Sequence, residues 1–141
     1  MKIESITFHH LNMPLVSPFE TSFGRETDRE CILITIYSEG LIGYGECVAS
    51  RDPGYNYETT GTALHILREF IIPLILGKDI KDALDFQERV SGIRGHHLAK
   101  AGVEMALWDL LGKREGKSLR ELLGGVREKV EVGVSIGIQE S

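Results

Sequence analysis

Two cysteines, four prolines and one tryptophan stand in 141 residues, and each scarcity removes a class of protein. Cys31 and Cys47 supply no CxxC and no mixed Cys/His set, so structural zinc has nothing to bind. They lie on two runs that read as a hairpin turning near Ser38-Glu39-Gly40, and summing positions across the turn sets Cys31 beside Val48 and Cys47 beside Ile32. Neighbours along a strand point to opposite faces, which argues against a disulfide and leaves two small buried thiols. Cations are also in deficit: 16 Lys plus Arg against 21 Asp plus Glu give a net charge of -5. No stretch gathers them into a patch that would neutralise phosphates, so nucleic acid is not expected as a partner. The start, Met1-Lys2-Ile3-Glu4-Ser5-Ile6, alternates where a signal peptide would be continuously apolar, and no run approaches the length that spans a bilayer. The expected setting is cytoplasmic, with no membrane. Internal repeats and low-complexity stretches are missing as well.

What is present is the balance of a soluble globular domain, 42% hydrophobic against 26% charged. Residues 3–16 alternate loosely as far as Pro14 and read as a strand entering a loop over 17–25. Residues 31–37 and 41–49 read as two further strands, joined by the Ser-Glu-Gly turn. From about Glu58 the period becomes helical. Ala63, Ile66, Leu67, Phe70, Ile71 and Leu74 make one stripe, with Pro73 marking a kink or an approaching end. Ala83, Phe86 and Val90 mark a shorter helix closed by Gly92 and Gly95. Leu98, Ala101, Met105, Trp108 and Leu111 form the face of a third, with Lys100, Glu104 and Lys113 turned away. Ser118-Leu119-Arg120-Glu121 carries the capping-box pattern of a fourth, stopped by Gly124-Gly125. The fold class that follows is α+β, a three-stranded antiparallel sheet followed by a helical bundle. Beyond it, Val130, Val132, Val134, Ile136 and Ile138 alternate with small or charged residues as in a strand with one apolar face. Only Gln139, Glu140 and Ser141 follow, so this strand pairs back onto the domain or is the first of a second domain.

Little in the chain resembles a catalytic constellation. His96-His97 diverge by about 100° on a helix and lack a partner at zinc-helix spacing; His9-His10 face opposite ways on a strand. His65 with Glu69 reads as a helix-surface pair. Gly43-Tyr44-Gly45-Glu46 begins a dinucleotide motif, but Val48 stands where the third glycine belongs and a strand surrounds it. Glu46 either faces a cavity or makes a structural hydrogen bond. Trp108 reads as core, and Asp109 as a cap or a pair with a neighbouring element. Phe19, Phe23, Tyr55 and Tyr57 place aromatic surface on connections, where it covers a ligand, another domain or the edge of its own core.

Taken together these residues resemble the N-terminal capping domain of the enolase superfamily, in its o-succinylbenzoate synthase / N-acylamino acid racemase branch. Pro18-Phe19-Glu20-Thr21-Ser22-Phe23-Gly24 resembles the first specificity loop and Gly43-Tyr44-Gly45-Glu46-Cys47 the third strand. Ala99-Lys100-Ala101-Gly102-Val103-Glu104-Met105-Ala106-Leu107-Trp108-Asp109-Leu110 resembles the cap helix. The resemblance implies that residues 1–125 are the cap and 126–141 the first strand of a truncated (β/α)8 barrel, a fold of about 250 residues. In the family, lysines on barrel strands move the proton alpha to a carboxylate, and acidic strand ends hold the magnesium ion that stabilises the enediolate. None of those positions lies in this chain, which implies no catalytic residue, no metal ligand, and Mg2+ only in a full-length enzyme. The residues implied to contact the carboxylate substrate, an N-acylamino acid or the succinylbenzoate precursor, are Phe19, Phe23, Ser50, Tyr55 and Ser135. The fragment alone is expected to be inert and, through its unpartnered strand, to self-associate. The alternatives are the cap of a dipeptide epimerase or cycloisomerase of the same superfamily, or a free-standing α+β binding or assembly module.

Overall fold

Alternating β-branched residues build the sheet on which the rest is laid. The computed structural model describes residues 1–138 and holds an antiparallel meander in the order β1 (Ser5–Thr21), β2 (Gly24–Ser38), β3 (Leu41–Cys47). On β2 the fully buried Ile32, Ile34 and Ile36 share the face that meets the helices, as alternate strand positions must. Glu39 and Gly40, with φ of 52° and 79°, form a two-residue turn whose hand matches the strand twist. Ile32 therefore stands opposite Cys47, the register expected from the turn. Both cysteines are buried and free, and burial pushes both thiols above their ordinary pKa, with Glu46 adding to the effect at Cys31.

The first hairpin is longer than the sequence suggests. Residues 17–25, expected as a loop, are mostly strand: Phe19 stands opposite Glu26 and Thr21 opposite Gly24. The pairing slips between Pro14 and Phe19, where four residues of β1 face Thr27 alone. Pro14 and Pro18 lack the N–H a ladder needs, so the strand bulges between them and resumes beyond.

The helical layer begins with one continuous stretch of α1 (Thr60–Ile66), a π turn (Leu67–Ile71) and α2 (Ile72–Ile75). Pro73 cannot donate to the helical ladder, and the widened turn just before it absorbs the misfit. It also corrects the buried face. Ala63, Leu67, Ile71 and Ile75 are all fully buried at a four-residue step, which overshoots an ordinary helical turn by about 40°; a wider turn brings the step back into line. Phe70 and Leu74, expected in the stripe, are 48% and 38% exposed instead. Next come α3 (Ala83–Arg89), capped by Asp82 and burying Ala83 and Phe86, then α4 (His97–Glu115) and α5 (Leu119–Leu122). At α5, Ser118 and Glu121 make the expected capping box.

Helix α4 lies on β3 almost without intervening side chains. A Cβ at Gly43 would sit 2.1 Å from the Ala106 carbonyl oxygen, and one at Gly45 would sit 2.0 Å from that of Gly102. From the other side, a Cβ on Gly102 would meet Ile34 Cδ1 at 2.9 Å and the Cys47 backbone nitrogen at 3.0 Å. This seam sets the inward face of α4: Ala99, Gly102, Val103, Ala106, Leu107 and Leu110 are buried. Of the stripe expected at Leu98, Ala101, Met105, Trp108 and Leu111, Leu111 is buried as expected, while the first three positions fall one residue short of the buried Ala99, Gly102 and Ala106. Met105 is 46% exposed, and the half-buried Trp108 donates its indole N–H to Glu104 at 3.2 Å. Large apolar residues misled the reading because small ones make the contact. Asp109 pairs with a neighbouring element as read: its carboxylate accepts the Tyr44 N–H at 2.9 Å and pairs with Lys113 at 2.7 Å.

Residues 126–138 form neither helix nor strand and are exposed. The strand expected over 130–138 is thus not formed, and Val130, Val132, Val134, Ile136 and Ile138 are 67–89% exposed. A ladder requires a paired strand, and both edges of the described sheet, β1 and β3, run without this segment.

The seam generates a direct test. Gly45→Ala drives a methyl into helix backbone that has no rotamer to yield, so the chain should lose about 3 kcal/mol of unfolding free energy or fail to fold. Gly54→Ala, in open space, should change it by less than about 0.5 kcal/mol. Urea unfolding reads both; equal stability of the two variants contradicts the seam.

Candidate functional site

The extended hairpin and the segment after β3 converge. Asp52-Pro53-Gly54 turns the chain away from β3, and the loop closes at its neck. There the Thr60 N–H donates to the Ser50 carbonyl at 2.8 Å and the Thr60 hydroxyl to the Ala49 carbonyl at 2.9 Å. Ends held together in this way make a compact surface loop. The Phe23 ring, on the two-residue tip of the first hairpin, meets the Tyr55 ring edge-on, with centroids 6.4 Å apart and planes at 84°. Between tip and loop lies an open cleft of about 370 Å³ lined by Phe23, Arg25, Asp28, Ser50, Arg51 and Tyr55 among others, a size suited to a small molecule.

Both ends of the loop are tied down. At the near end Arg51 reaches Glu30 of β2, its Nε donating at 2.6 Å, and His10 of β1 approaches the other Glu30 oxygen at 3.2 Å. The Arg51 hydrogen bond, aided by His10, holds the Glu30 carboxyl below the ordinary carboxylate range against the opposing effect of burial. At the far end Tyr57 Oη accepts the His96 N–H at 3.0 Å. The Glu58 carboxylate accepts the N–H of Leu98 at 2.9 Å and that of Ala99 at 3.1 Å.

Of the five residues implied to contact substrate, Phe23, Ser50 and Tyr55 line this cleft. Phe19 lies on the same hairpin, 57% exposed, outside the lining. Ser135 lies in the exposed segment 126–138, also outside it. Glu46 points from β3 to the side away from α4, since Gly45 and Cys47 face the helix and Glu46 is exposed; it does not reach the cleft. His65 packs edge-on against Phe70. Sequence reasoning missed Glu30, His10, Arg51 and Glu58. The first three meet where β1 and β2 pair before the bulge, with Asn12 opposite Glu30, and partners 20 and 21 residues apart leave no signal in a sequence window. Among the described residues no group of three His, Cys, Asp or Glu converges as a metal site, and no helix is long and apolar enough to cross a membrane. The cleft offers aromatic faces and guanidinium donors. Its charged lining is mixed, with Arg25, Arg29 and Arg51 beside Glu26, Asp28, Glu30 and Asp52, and Arg29 and Arg51 are already paired with Glu26 and Glu30, so the arrangement can enclose a small molecule between aromatic and polar walls.

Comparison with known proteins agrees with this geometry. Residues 2–124 match the family model described as mandelate racemase / muconate lactonizing enzyme, N-terminal domain. The chain is 45% identical over 141 residues to the N-succinylamino acid racemase of Thermus thermophilus, covering 100% of this chain and 38% of that protein. It is 44% identical over 140 residues to the o-succinylbenzoate synthase of Geobacillus kaustophilus, covering 99% of this chain and 37% of that one. The crystal structure of an enolase superfamily member from Listeria innocua superposes with a TM-score of 0.91 at 37% identity, over 100% of this chain and 38% of its own. The chain thus spans about 38% of the length of the relatives it matches.

Proposed function

Because the chain belongs to the mandelate racemase / muconate lactonizing enzyme N-terminal domain family, we propose that it is the substrate-covering cap of a longer enzyme that abstracts a proton alpha to a carboxylate. The substrate in this reading is an N-acylamino acid or the succinylbenzoate precursor, in keeping with the racemase and synthase named among its relatives. The observation that carries it is the meeting of Phe23 and Tyr55 across the cleft: two exposed rings on connections, placed where they would close over an acyl chain and exclude water. Ser50 sits at the neck of the loop. Phe19, further down the hairpin, and Ser135 would be brought to the substrate by the rest of the enzyme. Residues 1–125 form the cap and 126–141 the opening of the second domain, of which Gln139, Glu140 and Ser141 lie outside the described residues. No three potential ligands converge among the described residues, so Mg2+ does not fit this chain's own side chains and is assigned to the remainder of a full-length enzyme.

In an enzyme of the relatives' full length carrying this cap, Phe23→Ala and Tyr55→Ala should each raise KM and shift acyl-group preference, with melting temperature held within a few degrees. Lower melting temperature with unchanged kinetics would mean that the rings only cover the domain's own edge. The 141-residue chain alone, incubated with magnesium and an N-succinyl amino acid in deuterated water, should leave the alpha proton in place; catalysed exchange would show that the cap carries its own base. Self-association belongs to the same reading. Each β-branched side chain of 130–138 gains about 1.5 to 3 kcal/mol on burial, so the 141-residue chain should sediment as a dimer or larger and a chain ending at Gly125 as a monomer. Identical sedimentation of the two removes the association claim.

A further inference from the structure

Resting on the reading of the 50–57 loop as a substrate cover, we propose that Glu58 and Tyr57 are positioning residues, which fix Tyr55 over the cleft by serving as the N-terminal cap of α4. A helix begins with four backbone N–H groups that have no partner within it, and α4 supplies none of its own. Its N-cap, His96, makes no side-chain hydrogen bond, and the first turn holds no acidic residue. His96 has a left-handed backbone, φ 53°, which a non-glycine residue adopts only where its surroundings impose it. The missing acceptors come from the loop instead. Glu58, 1% exposed, gives its carboxylate to Leu98 and Ala99, 40 and 41 residues away in sequence, and Tyr57 Oη takes the N–H of His96.

Such a carboxylate could not remain buried without these donors, and the helix dipole favours its charge there. The fit is specific on both sides. Gly95 (φ +66°) admits the tyrosine, since a Cβ there would lie 2.8 Å from Tyr57 Oη. On the loop side, the Glu58 N–H donates to Asn56 Oδ1 at 2.9 Å, which sets the turn leading back to Tyr55. Because α4 is locked to β3 by its glycine seam, the far end of the loop is referred to the same frame as the sheet. Arg51 refers the near end to Glu30 of β2. Tyr55 lies between these fixed points, two residues from Tyr57, and is held in place although it is itself 87% exposed.

The test uses the 141-residue chain and two variants. Glu58→Gln keeps the shape but turns a carboxylate into an amide that carries its own donors; Tyr57→Phe removes one acceptor. NMR reads the Phe23–Tyr55 ring contact as a nuclear Overhauser effect and the amide exchange of Leu98 and Ala99 against Ala106 and Leu107 in mid-helix. With Glu58→Gln, exchange at Leu98 and Ala99 should rise about tenfold relative to mid-helix, and most of the ring contact should be lost. Tyr57→Phe should weaken the ring contact by about half while mid-helix exchange stays unchanged. A ring contact of full intensity in both folded variants overturns the proposal, because the loop would then be placed without α4. Should Glu58→Gln fail to fold, Tyr57→Phe decides alone on the same readouts. None of these is an activity, so the two readings fail separately. A loop loosened by the variants, in a cap whose Phe23 and Tyr55 prove kinetically silent, keeps the anchor and removes the lid; a loop unmoved, with those rings kinetically important, does the reverse.

Discussion

Backbone contact between β3 and α4 is the constraint on which the other distances in this molecule depend. Gly43 and Gly45 on the strand face Ala106 and Gly102 on the helix so closely that any Cβ would collide with a carbonyl. A contact of this kind has little apolar area and takes glycine's large loss of chain freedom on folding. Its value is in precision, because backbone meeting backbone has no rotamers with which to adjust. The isoleucines of β2 and the buried leucines of α4 then supply the apolar burial around it. The edge of β3 is secured from outside by Asp109, which takes the Tyr44 N–H, and by Lys113, which donates to the Ile42 carbonyl at 2.7 Å.

From that frame the two walls of the cleft are reached in different ways. The 50–57 loop is short and tied at both ends, to β2 through Arg51 and to α4 through Tyr57 and Glu58. The hairpin tip is a lever: β1 and β2 leave the core together, bulge at the prolines and carry Phe23 out to the loop. A rigid frame with one clamped wall and one extended wall is what the proposed substrate cover would need in order to close over a small molecule and release it.

How far this could be read from the sequence differs from element to element. The β2–β3 register followed from one turn, because a two-residue connection leaves no freedom in pairing. The capping box at Ser118 was legible for the same reason, since it depends on local spacing. The face of α4 was not legible. Hydrophobic periodicity weights large residues, and here Ala99, Gly102 and Ala106 mark the contact, so the face read from Leu98, Ala101 and Met105 fell one residue short. The hairpin extension was hidden by Pro14 and Pro18, which resemble the end of a strand and in fact bracket a bulge. Of the cleft, the rings were visible as aromatics on connections. The charged side, Arg51 with Glu30 and His10, and the buried Glu58 were not, because partners 20 to 41 residues apart leave no trace in any sequence window.

Native-state hydrogen exchange of the 141-residue chain against denaturant concentration tests the seam as the organising contact most directly. The account predicts that the amides of Ile34, Gly45, Ala106 and Leu107 exchange only through global unfolding, with the full denaturant dependence. The amides of residues 19–26 in the hairpin extension should open through smaller fluctuations of lower free energy. Seam amides that open locally while those of the hairpin tip require global unfolding would contradict it.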